Sequence, residues 1–251
     1  MQKIAESEFI AWVTGAGSGI GRACALALAA GGRRVWASDI SSGAAEETAC
    51  LGSGITPAQL DVTQANQVDR LAEGLRDKGR LGVLIHCAGA TIPAAQVWQV
   101  EEDDFRRMVE LHLIGGFLCL RAACRLMVPQ NYGRIILMGS MAGVGGLYGK
   151  SPYAAAKAGM WGLVATAAKE MLEHGVTVNL IAPGLVDTPL SRRTLGGSMV
   201  PGAGRVEDVA ELVSFLASPE AGHINGALVP LDQGRSLIKP MDKAIRDSLR
   251  K

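Results

Sequence analysis

Short apolar runs alternate along this chain with longer stretches whose apolar positions recur at helical spacing. The runs at 9–13, 34–37, 55–60, 82–86, 134–138, 177–181 and 228–231 predict strands. Several are almost continuously apolar, as expected of strands covered on both faces. Helices are predicted over 18–30, 42–50, 64–78, 102–127, 152–174 and 206–217; Arg205 opens the last, with Glu207 and Asp208 in its first turn. The alternation predicts a doubly wound α/β domain around a parallel sheet, with ligands at the carboxyl ends of the strands. Glycine and proline concentrate in 187–204, which predicts a mobile loop within the domain, and the charged tail 239–251 predicts a peripheral helix or a frayed end.

Composition narrows this picture. At 251 residues and 48% hydrophobic content, one domain over 1–251, with its core at about 9–234, can bury a sufficient interior. The 25 basic and 24 acidic side chains leave a formal charge of +1, so no global field draws the chain to nucleic acid or to an anionic membrane. A small neutral or weakly charged ligand suits it better. The five cysteines are scattered, with no C-x-x-C pair and no histidine spacing for a metal, and read as reduced thiols of a cytoplasmic protein. No apolar run approaches a membrane span, and no signal-peptide core precedes the first strand.

The first candidate chemistry is Thr14-Gly15-Ala16-Gly17-Ser18-Gly19-Ile20-Gly21, directly after the first strand and opening a helix. Glycines there let the backbone turn tightly and approach a pyrophosphate, which rests on the free N–H groups of the helix start. The spacing is Gly-x-x-x-Gly-x-Gly, not Gly-x-G-x-x-Gly, and taken alone it also fits a plain structural turn. Asp39, ending the second strand, stands where an acid binds the adenosine ribose hydroxyls. It would repel the extra phosphate of NADP, so NAD is the expected cofactor and NADP the lesser alternative. Arg33 and Arg34 read as solvated surface charges. Gly149-Lys150-Ser151 lacks the earlier glycine of a triphosphate-binding loop, Val144 standing in its place.

Ser140 ends a predicted strand, and Tyr153 and Lys157 lie one helical turn apart on one face. An ammonium beside a phenol favours the phenolate, so the pair can serve as a general acid/base; alone, it is also an ordinary exposed helical pair. The glycine turn, Asp39, Asp61-Val62, Cys87-Ala88-Gly89, Ser140, Tyr153-Ala154-Ala155-Ala156-Lys157 and Asn179-Leu180-Ile181-Ala182-Pro183-Gly184 follow one another in one order. That ordered set resembles the short-chain dehydrogenase/reductase family over nearly all of 9–234. The resemblance implies a single Rossmann-like domain with a seven-stranded parallel sheet, assembled as a homotetramer or homodimer. It implies that Tyr153 exchanges a proton with the substrate oxygen, that Ser140 hydrogen-bonds that oxygen, and that Lys157 binds the nicotinamide ribose and lowers the tyrosine pKa. Gly15, Ser18, Gly19 and Ile20 would hold the pyrophosphate, Asp61 and Val62 the adenine, and Ala88 and Gly89 the adenosine side. Pro183, Gly184, Val186 and Thr188 would hold the nicotinamide amide and phosphates.

Two positions depart from the family. Cys87 replaces an asparagine and reads as a buried, inert thiol. His112 stands where the family has an asparagine that supports a proton-relaying water; it either takes over the relay, since histidine titrates near neutrality, or is a satisfied structural histidine. Thr91, Met141, Tyr148 and Leu185, with Ile92, Pro93, Ala142, Val144, Leu147 and Leu190, are expected to line the substrate pocket. Their apolar character suits a hydrophobic or alicyclic secondary alcohol and its ketone. A 3-oxoacyl-thioester reductase and an inactive NAD-binding scaffold are the alternatives, and Arg192 and Arg193 read as solvated loop charges.

Overall fold

A computed structural model describes residues 9–194 and 202–235. Seven parallel strands form one sheet in the order β3-β2-β1-β4-β5-β6-β7. In chain order they are β1 Phe9–Thr14, β2 Arg34–Asp39, β3 Ile55–Gln59, β4 Arg80–His86, β5 Gly133–Met138, β6 Val176–Pro183 and β7 Leu228–Leu231. The four central strands, β1, β4, β5 and β6, are buried almost throughout, which is why they read as unbroken apolar runs. Strand order reverses between β1 and β4, and that crevice is where a doubly wound sheet receives its ligand.

Helices α1 Gly19–Ala30 and α9 Val206–Leu216 cover one face, burying Cys24, Leu28, Val209 and Val213 against Val13, Ile85 and Ile136. Helices α3 Ala65–Arg76, α5 Gly115–Met127 and α7 Ser151–Glu170 cover the other, around Trp12, Leu84, Leu118 and Val164. The buried Trp12 indole keeps a partner by donating to Ser38 Oγ at 2.9 Å. Helix α2 Ser42–Cys50 flanks β2 and β3, its Ser41 cap accepting from the Ala44 amide.

The helix expected over 102–127 is present, with a change of winding inside it. It runs as α4 Glu102–Val109, a π-helical turn over Glu110–Ile114, and α5. The glycine pair after the π turn lets α5 press close: a Cβ on Gly115 would sit 2.9 Å from Val62 Cγ2, and Gly116 faces His86. Taken together, Glu102–Gln130 is long and apolar enough to cross a membrane, contrary to the sequence reading, but half of its apolar window is buried and α5 packs on β4 and β5. That is the profile of a core helix. Part of the segment expected to be a loop, 187–204, is helical. Helix α8 Pro189–Thr194 is fastened at its start by reciprocal Thr188–Ser191 hydrogen bonds and by the Arg192–Asp187 ion pair, while 195–201 lies outside the described residues, as does the tail 239–251. A short helix α6 Ala142–Gly145 bridges β5 and α7.

Candidate active site

The carboxyl ends of β1, β2 and β4 build a glycine-lined groove. Gly15 takes a φ of +63°, and a Cβ there would lie 2.7 Å from the Ala88 backbone; on Gly21 it would strike the carbonyl of Gly15. The Gly17 amide donates to Asp39 Oδ2 at 2.9 Å and the Ser41 amide to Oδ1 at 3.0 Å, fixing the carboxylate beside the turn. The Ser18 side chain does not cap α1, so the first-turn N–H groups of that helix face the groove. Gly19 brings Thr188 alongside, with Thr188 Cβ 3.5 Å from where a Cβ would stand. Asp61 Oδ1 is held by the Thr63 amide and hydroxyl, and Val62 is buried.

Arg22, which the sequence reading passed over, is the cation nearest the turn. It donates to the Gly17 carbonyl, to Thr48 Oγ1 at 3.0 Å and to Glu47 at 3.0 Å. A helical arginine immediately after the last glycine of the turn is the signal that could have found it. Arg33 is not a solvated charge: it is buried and donates to the Ala217 carbonyl at 3.1 Å, whereas exposed Arg34 reaches the Lys78 carbonyl.

At the ends of β4, β5 and β6 the groove opens into a cavity of about 680 Å³, lined among others by Ile20, Gly89, Thr91, His112, Ser140, Met141, Tyr153, Lys157, Pro183, Gly184, Leu185, Val186 and Thr188. Gly15, Ser18, Gly19, Asp39, Asp61, Val62 and Ala88 lie outside this lining, along the groove or behind it. Two strand-end contacts hold the reactive wall: the Met141 amide donates to the Pro183 carbonyl at 2.9 Å, and the Ala142 amide to Ser140 Oγ at 3.1 Å. Tyr153 and Lys157 project from the first turns of α7. Lys157 Nζ donates to the Met138 carbonyl at 2.6 Å and stands 5.7 Å from the Tyr153 ring centre.

Electrostatics here differ from expectation. Burial, not Lys157, dominates Tyr153 and pushes its pKa up, while a hydrogen bond with Ser140 pulls it back. Burial brings Lys157 down to about 8. His112 packs edge-on against Tyr153, ring centres 5.1 Å apart, and its Nε2 lies 2.8 Å from the Ala90 carbonyl. A carbonyl only accepts, so the proton sits on Nε2 and the buried Nδ1 is an acceptor without a hydrogen-bond partner among the described residues. Burial, then the Lys157 charge, holds His112 well below the usual histidine range, so it does not titrate near neutrality as expected. His86 is neutral too, lowered to about 3 by burial; its Nδ1 is 3.0 Å from Thr14 Oγ1, which also accepts from the Ala88 amide. Cys87 is half-buried in the cavity wall, not fully buried as expected, and its thiol meets that of Cys24.

Of the expected substrate contacts, Thr91, Met141, Ala142, Leu147, Leu185 and Leu190 line the cavity. Tyr148 does not: it is 84% exposed, and the Gly149 backbone at φ +72° turns the chain so that Leu147 and Lys150, not Tyr148, face inward. Ile92, Pro93 and Val144 are also outside the lining. Arg192 is committed to Asp187, and Arg193 donates to the Pro189 carbonyl.

Residues 9–196 match the family model described as short chain dehydrogenase. The chain belongs to the short-chain dehydrogenase family. It is 38% identical over 237 residues to a 3-oxoacyl-[acyl-carrier-protein] reductase of Synechocystis sp., covering 90% of this chain and 96% of the relative. It is 37% identical to a (3R)-3-hydroxyacyl-CoA dehydrogenase of Canis lupus familiaris, covering 90% and 95%. The solved structure of levodione reductase superposes with a TM-score of 0.86 at 28% identity, over 94% of this chain and all of that one. Short-chain dehydrogenases are oxidoreductases that bind a nicotinamide cofactor, and the seven-stranded Rossmann-like fold is theirs.

Proposed function

We propose that this short-chain dehydrogenase is an NAD-dependent oxidoreductase that interconverts a hydrophobic or alicyclic secondary alcohol and its ketone. The observation that carries the reading is the cavity wall on which Ser140, Tyr153 and Lys157 meet beside the Pro183–Gly184 turn. The adjoining groove fits a dinucleotide, with an uncapped helix start, glycines too close to backbone to carry a Cβ, and a fixed carboxylate. Gly15, Ser18, Gly19 and Ile20 would hold its pyrophosphate, Asp39 its adenosine ribose, and Asp61, Val62, Ala88 and Gly89 its adenosine end. Lys157 would hold the nicotinamide ribose, and Pro183, Gly184, Val186 and Thr188 the amide. When bound, the cofactor supplies or takes the hydride.

The chain's own residues manage the proton. In reduction, Tyr153 Oη gives its proton to the substrate oxygen while Ser140 Oγ donates a hydrogen bond to the same atom, and the Lys157 ammonium favours the phenolate that remains. His112, held neutral against the Tyr153 ring, is a positioning residue and presents Nδ1 as an acceptor. An adenosine phosphate beyond the ribose would face the Asp39 carboxylate while Arg22 is already committed, which supports NAD over NADP. The free thiols and near-zero charge support a cytoplasmic protein.

A second reading, a 3-oxoacyl-thioester reductase, draws comparable support from what the relatives are named for. A panel of secondary alcohols, ketones and an acetoacetyl thioester, run with both cofactors, separates the readings. NAD-linked turnover of alcohols that falls at least about 100-fold in Tyr153→Phe is expected. Preferential reduction of the thioester with NADPH would favour the second reading, and no turnover of any compound would mark an inactive scaffold.

A further inference from the structure

Lys150 is a lysine in the wrong place for a surface charge. It is 5% exposed, lines the cavity, and caps the start of α7, where the helix dipole disfavours a cation and no acid occupies the first turn. No carboxylate among the described residues forms an ion pair with it. Its Nζ donates instead to Thr91 Oγ1 at 3.2 Å and to the Ile92 carbonyl. Both acceptors are neutral, and an ammonium has three N–H donors, so one remains at the wall. Burial lowers its pKa from the usual lysine value. A buried cation of this kind is costly unless something meets it.

The placement relative to the reactive wall is close. Lys150 precedes Tyr153 by three residues at the start of α7, where the Ala154 amide bonds the Lys150 carbonyl at 2.8 Å, and both residues line the one cavity. Besides the reactive residues and His112, the other polar lining, Thr188, Ser191 and Thr194, comes from the 184–194 segment, so Lys150 and Thr91 are the polar pair that joins the 91–95 and 147–150 loops.

We propose that Lys150, braced by Thr91, receives a second oxygen of the substrate, a carbonyl or carboxylate oxygen a short distance along the chain from the reacting carbon. The inference rests on the ketone–alcohol reading and names the class of ketone: one that carries a further acceptor, not a plain hydrocarbon ketone.

The test compares ethyl 3-oxobutanoate (neutral second carbonyl), levulinate (carboxylate) and 2-octanone (no second acceptor) on native protein, Lys150→Gln and Lys150→Met. Loss of one charge-assisted hydrogen bond is expected to lower kcat/KM for the favoured acceptor-bearing ketone relative to 2-octanone by roughly 10- to 100-fold. The fall should lie mainly in KM, and which of the two acceptors suffers identifies the oxygen. Glutamine keeps a donor to Thr91, so if Lys150 only ties residues 91–95 to 147–150, all three substrates fall together in Lys150→Met and recover together in Lys150→Gln; that result overturns the proposal. Shifts in Tm on adding each ketone with NADH give a readout without turnover. Stabilisation of native protein by an acceptor-bearing ketone, lost in Lys150→Gln, supports the proposal even if no ketone is reduced and the catalytic reading fails. Equal shifts for all three, or none, overturn it.

Discussion

Lys157 is nearly enclosed, with the Met138 carbonyl at 2.6 Å as its hydrogen-bond partner, and burial brings its pKa from the model-peptide value of 10.5 to about 8. At neutral pH the folded protein therefore carries a charge that its interior disfavours by about 3 kcal/mol. The folded pKa of this base lies below its unfolded one. Between pH 8 and 10.5 the unfolded chain holds the proton more tightly, so the penalty is relieved and stability rises with pH across that window; below pH 8 the whole penalty applies and no longer changes with pH. Lys157→Met is accordingly expected to raise Tm at pH 7, corresponding to about 1–3 kcal/mol once the Met138 carbonyl is left without its donor, while turnover is lost. Thermal melts at pH 7 and pH 10 check this, because the advantage of the variant should shrink at the higher pH. The sequence exposed the tyrosine–lysine pair through its four-residue spacing, but not which force sets the tyrosine pKa, since burial is a property of α7 lying on the sheet. For the same reason His112 was legible as an unusual residue and its neutrality was not.

Strands were read well because central parallel strands are apolar on both faces, and their predicted bounds differ from the observed ones by a residue or two. The helix over 102–127 is legible as one piece in the sequence, but the π turn within it is not, because apolar periodicity survives such a turn almost unchanged. Tyr148 is expected in the pocket because it follows the catalytic strand, yet it is exposed, and the left-handed Gly149 beside it marks a turn whose direction the sequence does not show. The two kinds of glycine also differ in energy. A methyl on Gly21 would meet the Gly15 carbonyl, so Gly21→Ala is expected to destabilise by about 1–3 kcal/mol and to loosen the dinucleotide groove. Gly74, inside α3 with open space around it, should behave oppositely: Gly74→Ala is expected to stabilise by about 0.5–1 kcal/mol. Denaturant unfolding of both variants measures the contrast.

Across the whole molecule, the candidate reactive groups gather at the carboxyl ends of the strands, and part of the α4–α5 surface is left exposed. Phe105, Ile114 and Phe117 on α4, the π turn and α5 are 41%, 37% and 40% exposed. Apolar side chains grouped on one helical layer are what an interface between copies covers, and short-chain dehydrogenases are typically oligomeric. Sedimentation velocity is expected to find a homotetramer or homodimer, and Phe105→Glu with Phe117→Glu together to drive it toward the monomer; a monomeric native chain would contradict the assignment. The doubly wound architecture was legible from the alternation of runs, whereas which faces remain uncovered depends on how far each helix sinks into its neighbours.

The cavity and the groove are built from different parts of the chain. The groove comes from the β1, β2 and β4 ends, whereas the cavity roof comes from the loops that carry Thr91, Met141, Leu147, Lys150, Leu185 and Leu190, with Ser140, Tyr153 and Lys157 standing on strand and helix beneath it. This makes the protein a chassis with an exchangeable fascia. A graft confined to the 141–150 segment from another short-chain dehydrogenase would redirect which molecule is accepted and leave the choice of dinucleotide, made at Asp39, untouched.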